Sequence, residues 1–342
     1  AVTAVEAEYY AGGALPNAEV YWNVSASETT YQPPNWPEFT FGQWTPWWWY
    51  GWYWNNSYED SYYNYQSYEA RTDGSGMHYL KMDFTPGGEP VPQSVVAEAV
   101  VTDVNRQAWA STATLLVHPS DVYAGLRSDR YFVERGEPME IEVIAVDIDG
   151  IAYIAQEVTV TAERMEWKFS DGSWGEEPMD PQECIIISSE EPEICSFDTN
   201  VGGKYRITAI TTDEEGRENL TRMTRWVSGG ELAPSRDLEQ EQVTMVPDKE
   251  TYQPGETAEI LVQSPFGPAE GLLTVSRNGI LYTEEFTMDE DTITLEIPIE
   301  DAHIPNLNIQ IDLVGSAIRV DQQGNPVPDA PARPAYAVGF LE

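Results

Sequence analysis

The sequence predicts an all-β chain of three tandem, seven-stranded antiparallel β-sandwich domains. Three observations carry this expectation. Short runs rich in Val, Ile, Thr and Tyr recur along the chain, turns built from Asp, Asn, Gly and Pro separate them, and helix signals are nearly absent. Ile141-Glu142-Val143-Ile144-Ala145-Val146 gives way to Asp147-Ile148-Asp149-Gly150, and Val158-Thr159-Val160-Thr161-Ala162 follows. Tyr205–Ile210, Thr292–Ile297 and Leu307–Leu313 read the same way.

Two internal echoes divide the chain. Gly136-Glu137-Pro138-Met139-Glu140-Ile141-Glu142-Val143 and Gly255-Glu256-Thr257-Ala258-Glu259-Ile260-Leu261-Val262 share Gly, Glu, Glu, Ile and Val in register. Each follows an aromatic residue, Phe132 or Tyr252, and each opens the same early strand of a repeated module. The second echo is a strand running into an aspartate, in Val100–Asp103, Ala145–Asp147 and Ile210–Asp213. An Asp there accepts hydrogen bonds from amides two residues on, so a hairpin explains it without a ligand. The expected domains are 1–119, 120–230 and 231–342, each about 100 residues, the usual size of such a sandwich. The first carries an aromatic-rich insert at about 44–68, and a polar connector (231–240) leads into the third.

Composition removes several function classes. The 342 residues hold 58 acidic against 18 basic side chains, a formal net charge of −40. Such a surface repels phosphate backbones and anionic membrane faces, so no nucleic-acid partner and no direct membrane insertion is expected. The acids are spread along the chain, as a solvated, aggregation-resistant exterior requires. No apolar run reaches the ~20 residues of a bilayer span. The chain opens within a strand-like run, Ala1-Val2-Thr3-Ala4-Val5, and reads as a segment of something longer. Cys184 and Cys195 are the only cysteines. They read as a local disulfide formed in an oxidising compartment, with two buried free thiols as the alternative. Closing so short a loop contributes about 3 kcal/mol in the chain-entropy view.

Ordered motifs then resemble a family. The second domain runs Tyr123-Ala124-Gly125-Leu126, Gly136, Asp147-Ile148-Asp149-Gly150, Cys184, Pro192, Cys195-Ser196-Phe197, Gly203-Lys204-Tyr205-Arg206, Asp213–Arg217 and Trp226-Val227-Ser228-Gly229. The third runs Tyr252-Gln253-Pro254-Gly255-Glu256-Thr257-Ala258, Ser264-Pro265-Phe266, Leu272–Leu281 and Ile304-Pro305-Asn306-Leu307. This succession is similar to the macroglobulin-like domains, fibronectin-like in build, that lie upstream of the bait region in bacterial alpha-2-macroglobulins. The first domain matches more loosely, through Ala7–Gly13, Phe41-Gly42 and Thr72-Asp73-Gly74. The resemblance implies a secreted or periplasmic trap for proteases, in which cleavage of a bait segment drives a rearrangement that encloses the attacker. It implies the parent's remaining domains and target proteases as partners, with anchoring through a missing N-terminal region as one option. Many members also hold the protease through a thioester between Cys and Gln. Here Cys184 is followed by Ile185-Ile186-Ile187 and Cys195 by Ser196-Phe197-Asp198, so neither fits, and a bait segment is expected downstream. What remains is a non-catalytic scaffold without cofactor, in which Phe132, Tyr205, Trp226, Tyr252 and Phe266 serve as packing.

Other chemistry is thin. His78, His118 and His303 stand without a nucleophile elbow, an HExxH helix or a phosphate-cradling loop. Asp147-x-Asp149-Gly150 resembles the start of a calcium loop, but the frame of oxygen ligands is not completed, so no metal is assigned. Asn23-Val24-Ser25, Asn55-Asn56-Ser57 and Asn219-Leu220-Thr221 match the glycosylation pattern, which in a bacterial protein is expected to be coincidence. The candidate interaction surface is aromatic: Trp44, Trp47, Trp48, Trp49, Trp52 and Trp54, continuing through Tyr58, Tyr62, Tyr63, Tyr65 and Tyr68. These rings either pack on a domain of the chain, contact another part of the parent, or stack on sugars. The last option defines the alternative function, a cell-surface adhesion or glycan-binding module.

Overall fold

The computed structural model describes residues 1–10, 12–49, 64–82, 88–170, 173–229, 241–321 and 323–342. They form an almost wholly β architecture of six sheets arranged as three face-to-face pairs. No described helix is long and apolar enough to cross a membrane.

The first pair contains β1 (Val2–Glu6), β2 (Glu19–Glu28), β3 (Asn64–Arg71), β4 (Met77–Lys81), β5 (Gln93–Thr102) and β6 (Ala108–Val117), as sheets β1-β4 and β3-β2-β5-β6. The second contains β7 (Val122–Arg127), β8 (Phe132–Val133), β9 (Met139–Asp147), β10 (Glu157–Ser170), β11 (Ser173–Ile187), β12 (Glu193–Phe197), β13 (Gly203–Thr212) and β14 (Glu218–Val227). Its sheets are β12-β9-β7 and β11-β10-β13-β14-β8. The third contains β15 (Glu241–Gln242), β16 (Thr244–Pro247), β17 (Thr257–Gln263), β18 (Ala269–Ser276), β19 (Ile280–Met288), β20 (Thr292–Pro298), β21 (Asn308–Ala317) and β22 (Arg333–Leu341). It repeats the second as β16-β17-β20 and β15-β22-β21-β18-β19. The second and third pairs thus have seven longer strands plus a two-residue strand lying parallel to the last one. The first has six among the described residues.

Period-two burial explains the strands. Along β5, Val95, Ala97, Ala99 and Val101 face inward while their neighbours stay half-exposed; along β13, Tyr205, Ile207, Ala209 and Thr211 do the same. The repeated Gly-Glu motifs lead into β9 and β17, which hold equivalent places in their sheets. Four of the residues expected to pack, Phe132, Tyr205, Trp226 and Phe266, are buried, and Tyr252 leans on the third core.

Asp73, Asp103, Asp147, Asp213 and Asp321 build one turn five times. In each, the carboxylate accepts the amides two and four residues on, and the residue three on has positive φ. Asp147 Oδ1 therefore receives the amides of Asp149 and Ile151, as the hairpin expectation requires. The cysteines form a disulfide, Cys184–Cys195, that joins β11 to β12, the neighbouring edges of the two sheets of the second pair.

Candidate functional site

The segment between β2 and β3 leaves the first pair and runs as a strap over the second toward the third. Short polar contacts and buried rings alternate along it. Tyr31 donates to Ile148 O at 2.5 Å and lies edge-on to His118, whose Nδ1 is 2.7 Å from the Tyr123 hydroxyl. Burial lowers the His118 pKa, against the pull of Asp121. Trp36 Nε1 donates to Gly150 O at 3.0 Å. A side chain at Gly150 would meet Pro34 O at 1.9 Å, and its φ of +76° suits glycine, so this one residue serves both the hairpin and the strap. Phe39 and Phe41 are buried on Tyr123, Ile144 and Val146. Gly125 makes room, since a Cβ there would lie 2.6 Å from the Phe41 ring.

The strap's backbone also joins both sheets of the second pair. Thr40 exchanges two hydrogen bonds with Leu126 of β7. Arg222 of β14 donates its amide to Gly42 O and accepts the Trp44 amide, while Thr221 Oγ1 accepts the Gly42 amide. The side of the sandwich between β7 and the part of β14 that β8 leaves unpaired is closed in this way.

Beyond it the aromatic segment enters a junction. Trp44 packs on the second core, and Trp47 and Trp48 pack on the third. Trp44 and Trp48 also flank a small cluster made of Phe132 and Trp226 from the second pair and Val246 and Leu261 from the third. Ring centroids run from Trp44 to Tyr131 at 5.4 Å, Trp48 to Tyr131 at 5.3 Å, Trp48 to Trp226 at 5.8 Å and Trp47 to Trp48 at 5.4 Å. These are tilted or edge-on contacts of the kind aromatic quadrupoles favour. Arg225 is 3% exposed, with its guanidinium 5.0 Å from the Trp44 ring centre and 5.1 Å from that of Tyr131. Its Nη1 donates to Thr224 O, and no described carboxylate pairs with it. Burial pulls its pKa down to about 10, with Tyr131 acting the other way, so it stays cationic at neutral pH. The aromatic faces take the place of a counter-ion.

Polar contacts reinforce the same boundary. The Tyr131 amide donates to Asp248 O at 2.8 Å, Arg130 pairs with Glu259 at 2.5 Å, the Gly229 amide donates to Thr292 Oγ1 and Thr294 Oγ1 donates to Glu134. The chemistry available here is adhesion between the second and third pairs.

Of the candidate surface, Trp44, Trp47 and Trp48 are half-buried in this junction and do not form an exposed row. Trp49 closes the short 3-10 turn that carries Trp47 and Trp48. Trp52 and Trp54 lie outside the described residues, as do Tyr58, Tyr62 and Tyr63. Tyr65 and Tyr68 sit exposed on β3. Sequence reasoning missed Tyr131 and Arg225, which lie far along the chain and carry no motif. It also missed the charge cluster in which Arg217 reaches Asp121, Asp213 and Glu215. Burial raises the Asp213 pKa, but amide donors from Arg217 and Asp121, with the Arg217 and Ser120 side chains, outweigh it and bring it to about 2. Each histidine has a local partner: Trp22 for His78, Tyr123 for His118 and the Glu300 amide for His303. Asn219 is fully buried and accepts the Ala124 amide, which removes it as a glycan acceptor in the folded chain.

Residues 243–335 match the family model of the alpha-2-macroglobulin bait region domain. That description falls on the unit expected to precede such a domain. An alpha-2-macroglobulin homolog of Nostoc sp. is 23% identical over 329 residues, which cover 93% of this chain and 16% of the relative. The chain therefore spans about a sixth of that relative's length. Among solved structures, native Escherichia coli alpha-2-macroglobulin is similar at 16% identity and TM-score 0.45, covering 99% of this chain and 22% of that one. A Salmonella alpha-2-macroglobulin variant is similar at 16% identity and TM-score 0.40, covering 100% of this chain and 23% of that one. The resemblance to bacterial alpha-2-macroglobulins is borne out by the family model and the curated relative.

Proposed function

We propose, from a chain that resembles an alpha-2-macroglobulin homolog over nearly its whole length, that it is a non-catalytic scaffold segment of a broad-spectrum endopeptidase inhibitor. Its three macroglobulin-like domains are 1–119, 120–230 and 231–342. Its partners are the parent's remaining domains and, through the parent's bait region, the target proteases. A disulfide suits the periplasm or the cell exterior, where such a trap would meet proteases.

One observation carries the mechanical part of this reading: the junction in which Trp44 and Trp48 of the strap bridge the cores of the second and third sheet pairs. A trap must convert a cut in one segment into displacement of others, and a loose joint would absorb that displacement. The strap makes the two sandwiches move as a unit.

The test has two arms. The chain, incubated with serine, cysteine and metallo-endopeptidases acting on protein substrates, is expected to leave their activity unchanged. Inhibition by the chain alone would contradict the scaffold assignment. In the full-length parent, W44A/W48A is expected to reduce protease enclosure while bait cleavage proceeds at its normal rate. Undiminished enclosure would remove the strap from the mechanism.

A further inference from the structure

His118 stands where two stretches of chain cross from the first sheet pair to the second. It lies in the link between β6 and β7, and Tyr31 of the strap meets its ring edge-on, with centroids 4.7 Å apart. Both rings touch Tyr123 of β7, which is fully buried, at 5.8 Å from His118 and 5.5 Å from Tyr31. Tyr123 also belongs to the cluster that holds Phe39 and Phe41 of the strap.

The Tyr123 hydroxyl lies 2.7 Å from His118 Nδ1 and has no other hydrogen-bond partner among the described residues. A buried O–H without an acceptor is costly, so the form that satisfies it is the neutral imidazole with its proton on Nε2. An imidazolium carries protons on both nitrogens and accepts nothing. Protonation therefore turns a satisfied buried donor into an orphan beneath the strap. Nearby charge does little to offset this. Asp121 favours the cation, but its carboxylate is already paired with Arg217 at 2.5 Å. Glu28 ends β2, three residues before Tyr31, and Asp147 and Asp149 flank the Ile148 carbonyl that accepts the Tyr31 hydroxyl. Asp147 is engaged by the amides of its own turn. The imidazole is held below its ordinary 6.5, by burial first and with Asp121 opposing. Such a group contributes stability that is complete above its unfolded value and is lost as pH falls through the folded one.

We propose that His118 is an acid-sensitive catch for the strap. On gaining a proton it releases the Tyr123 hydroxyl, and the stretch from Tyr31 to Phe41 loosens from β7 and β9. The catch rests on the geometry of the strap and stands whether or not the parent traps proteases.

The experiment is hydrogen exchange on the whole chain, read by NMR as protection factors, which removes the intrinsic pH dependence of exchange. Measurements at about pH 7.5 and about pH 5.5 bracket the ordinary histidine value. Asp213, with a pKa of about 2, stays ionised throughout. Thr40 and Leu126 bond each other's carbonyls across the strap, and protection of their amides is expected to fall about tenfold in acid. Amides of β21 are expected to stay unchanged. H118N, whose amide oxygen accepts the hydroxyl at either pH, is expected to hold protection constant. Y123F keeps His118 but has no hydroxyl to orphan, and is expected to hold it constant as well. His78 and His303 accept the Trp22 Nε1–H and the Glu300 amide, neither of which lies on the strap, so they serve as internal controls. Unchanged protection in the unaltered chain would overturn the proposal. So would a fall of equal size in Y123F, because burial alone would then account for it, and this variant decides even where H118N does not fold.

Discussion

β6 and β14 occupy the same place in their sandwiches and meet opposite fates. β14 is buried along its inner face: Asn219, Thr221 and Met223 have no exposed surface. β7 lies across from it and donates the Ala124 amide to Asn219, and the strap seals the remaining side through Gly42 and Trp44. Trp109, near the start of β6, is exposed, and no strand flanks β1 on that side among the described residues. In the second pair, β7 and the strap complete the closure of the core.

The contrast can be broken at several points. The largest effect is expected from Leu126→Ala, because Leu126 is fully buried between β7 and the core. It should cost about 2–5 kcal/mol in urea unfolding, and Leu115→Ala on half-covered β6 less than about 1 kcal/mol. Equal losses would mean that the first pair is as closed as the second.

Removing the disulfide by C184S/C195S comes next, at about 3 kcal/mol for its short loop. The loss is expected in the second pair alone, so a two-probe unfolding experiment should separate the transitions. Gly150→Ala should cost about 1–3 kcal/mol, since it strains a positive φ and pushes a methyl into Pro34 O. It should also loosen the strap, seen as faster exchange of the Thr40 and Trp44 amides.

The smallest effect is one of pH. The folded pKa of Asp213 lies at about 2, below the ordinary 3.8. A depressed carboxylate contributes stability that is complete above its unfolded pKa and lost as pH falls through the folded one. The second pair should therefore weaken between pH 3.8 and 2. Asp213→Asn should remove that slope and leave the first pair unchanged. Asp103 makes the equivalent turn with the same two amides, but without the Ser120 and Arg217 partners.

Local features were legible in the sequence because their causes are local. Aspartate turns follow from side chains reaching amides two and four residues away, and the repeated Gly-Glu motif marked β9 and β17. The disulfide followed from two cysteines with no competing partner. The destination of the aromatic segment was not legible, since Trp44 and Trp48 meet Tyr131, Arg225, Trp226, Val246 and Leu261, all more than eighty residues away. Composition left three destinations open for the rings: a domain of the chain, another part of the parent, or sugars.

The central claim is that the strap locks the second and third sheet pairs together. It is tested most directly by the distance between spin labels at exposed Val201 on the second and exposed Ile280 on the third. The account predicts a narrow distance distribution in the otherwise unaltered chain and a broad one in W44A/W48A, with strand content unchanged. A distribution just as narrow in the double variant would contradict it.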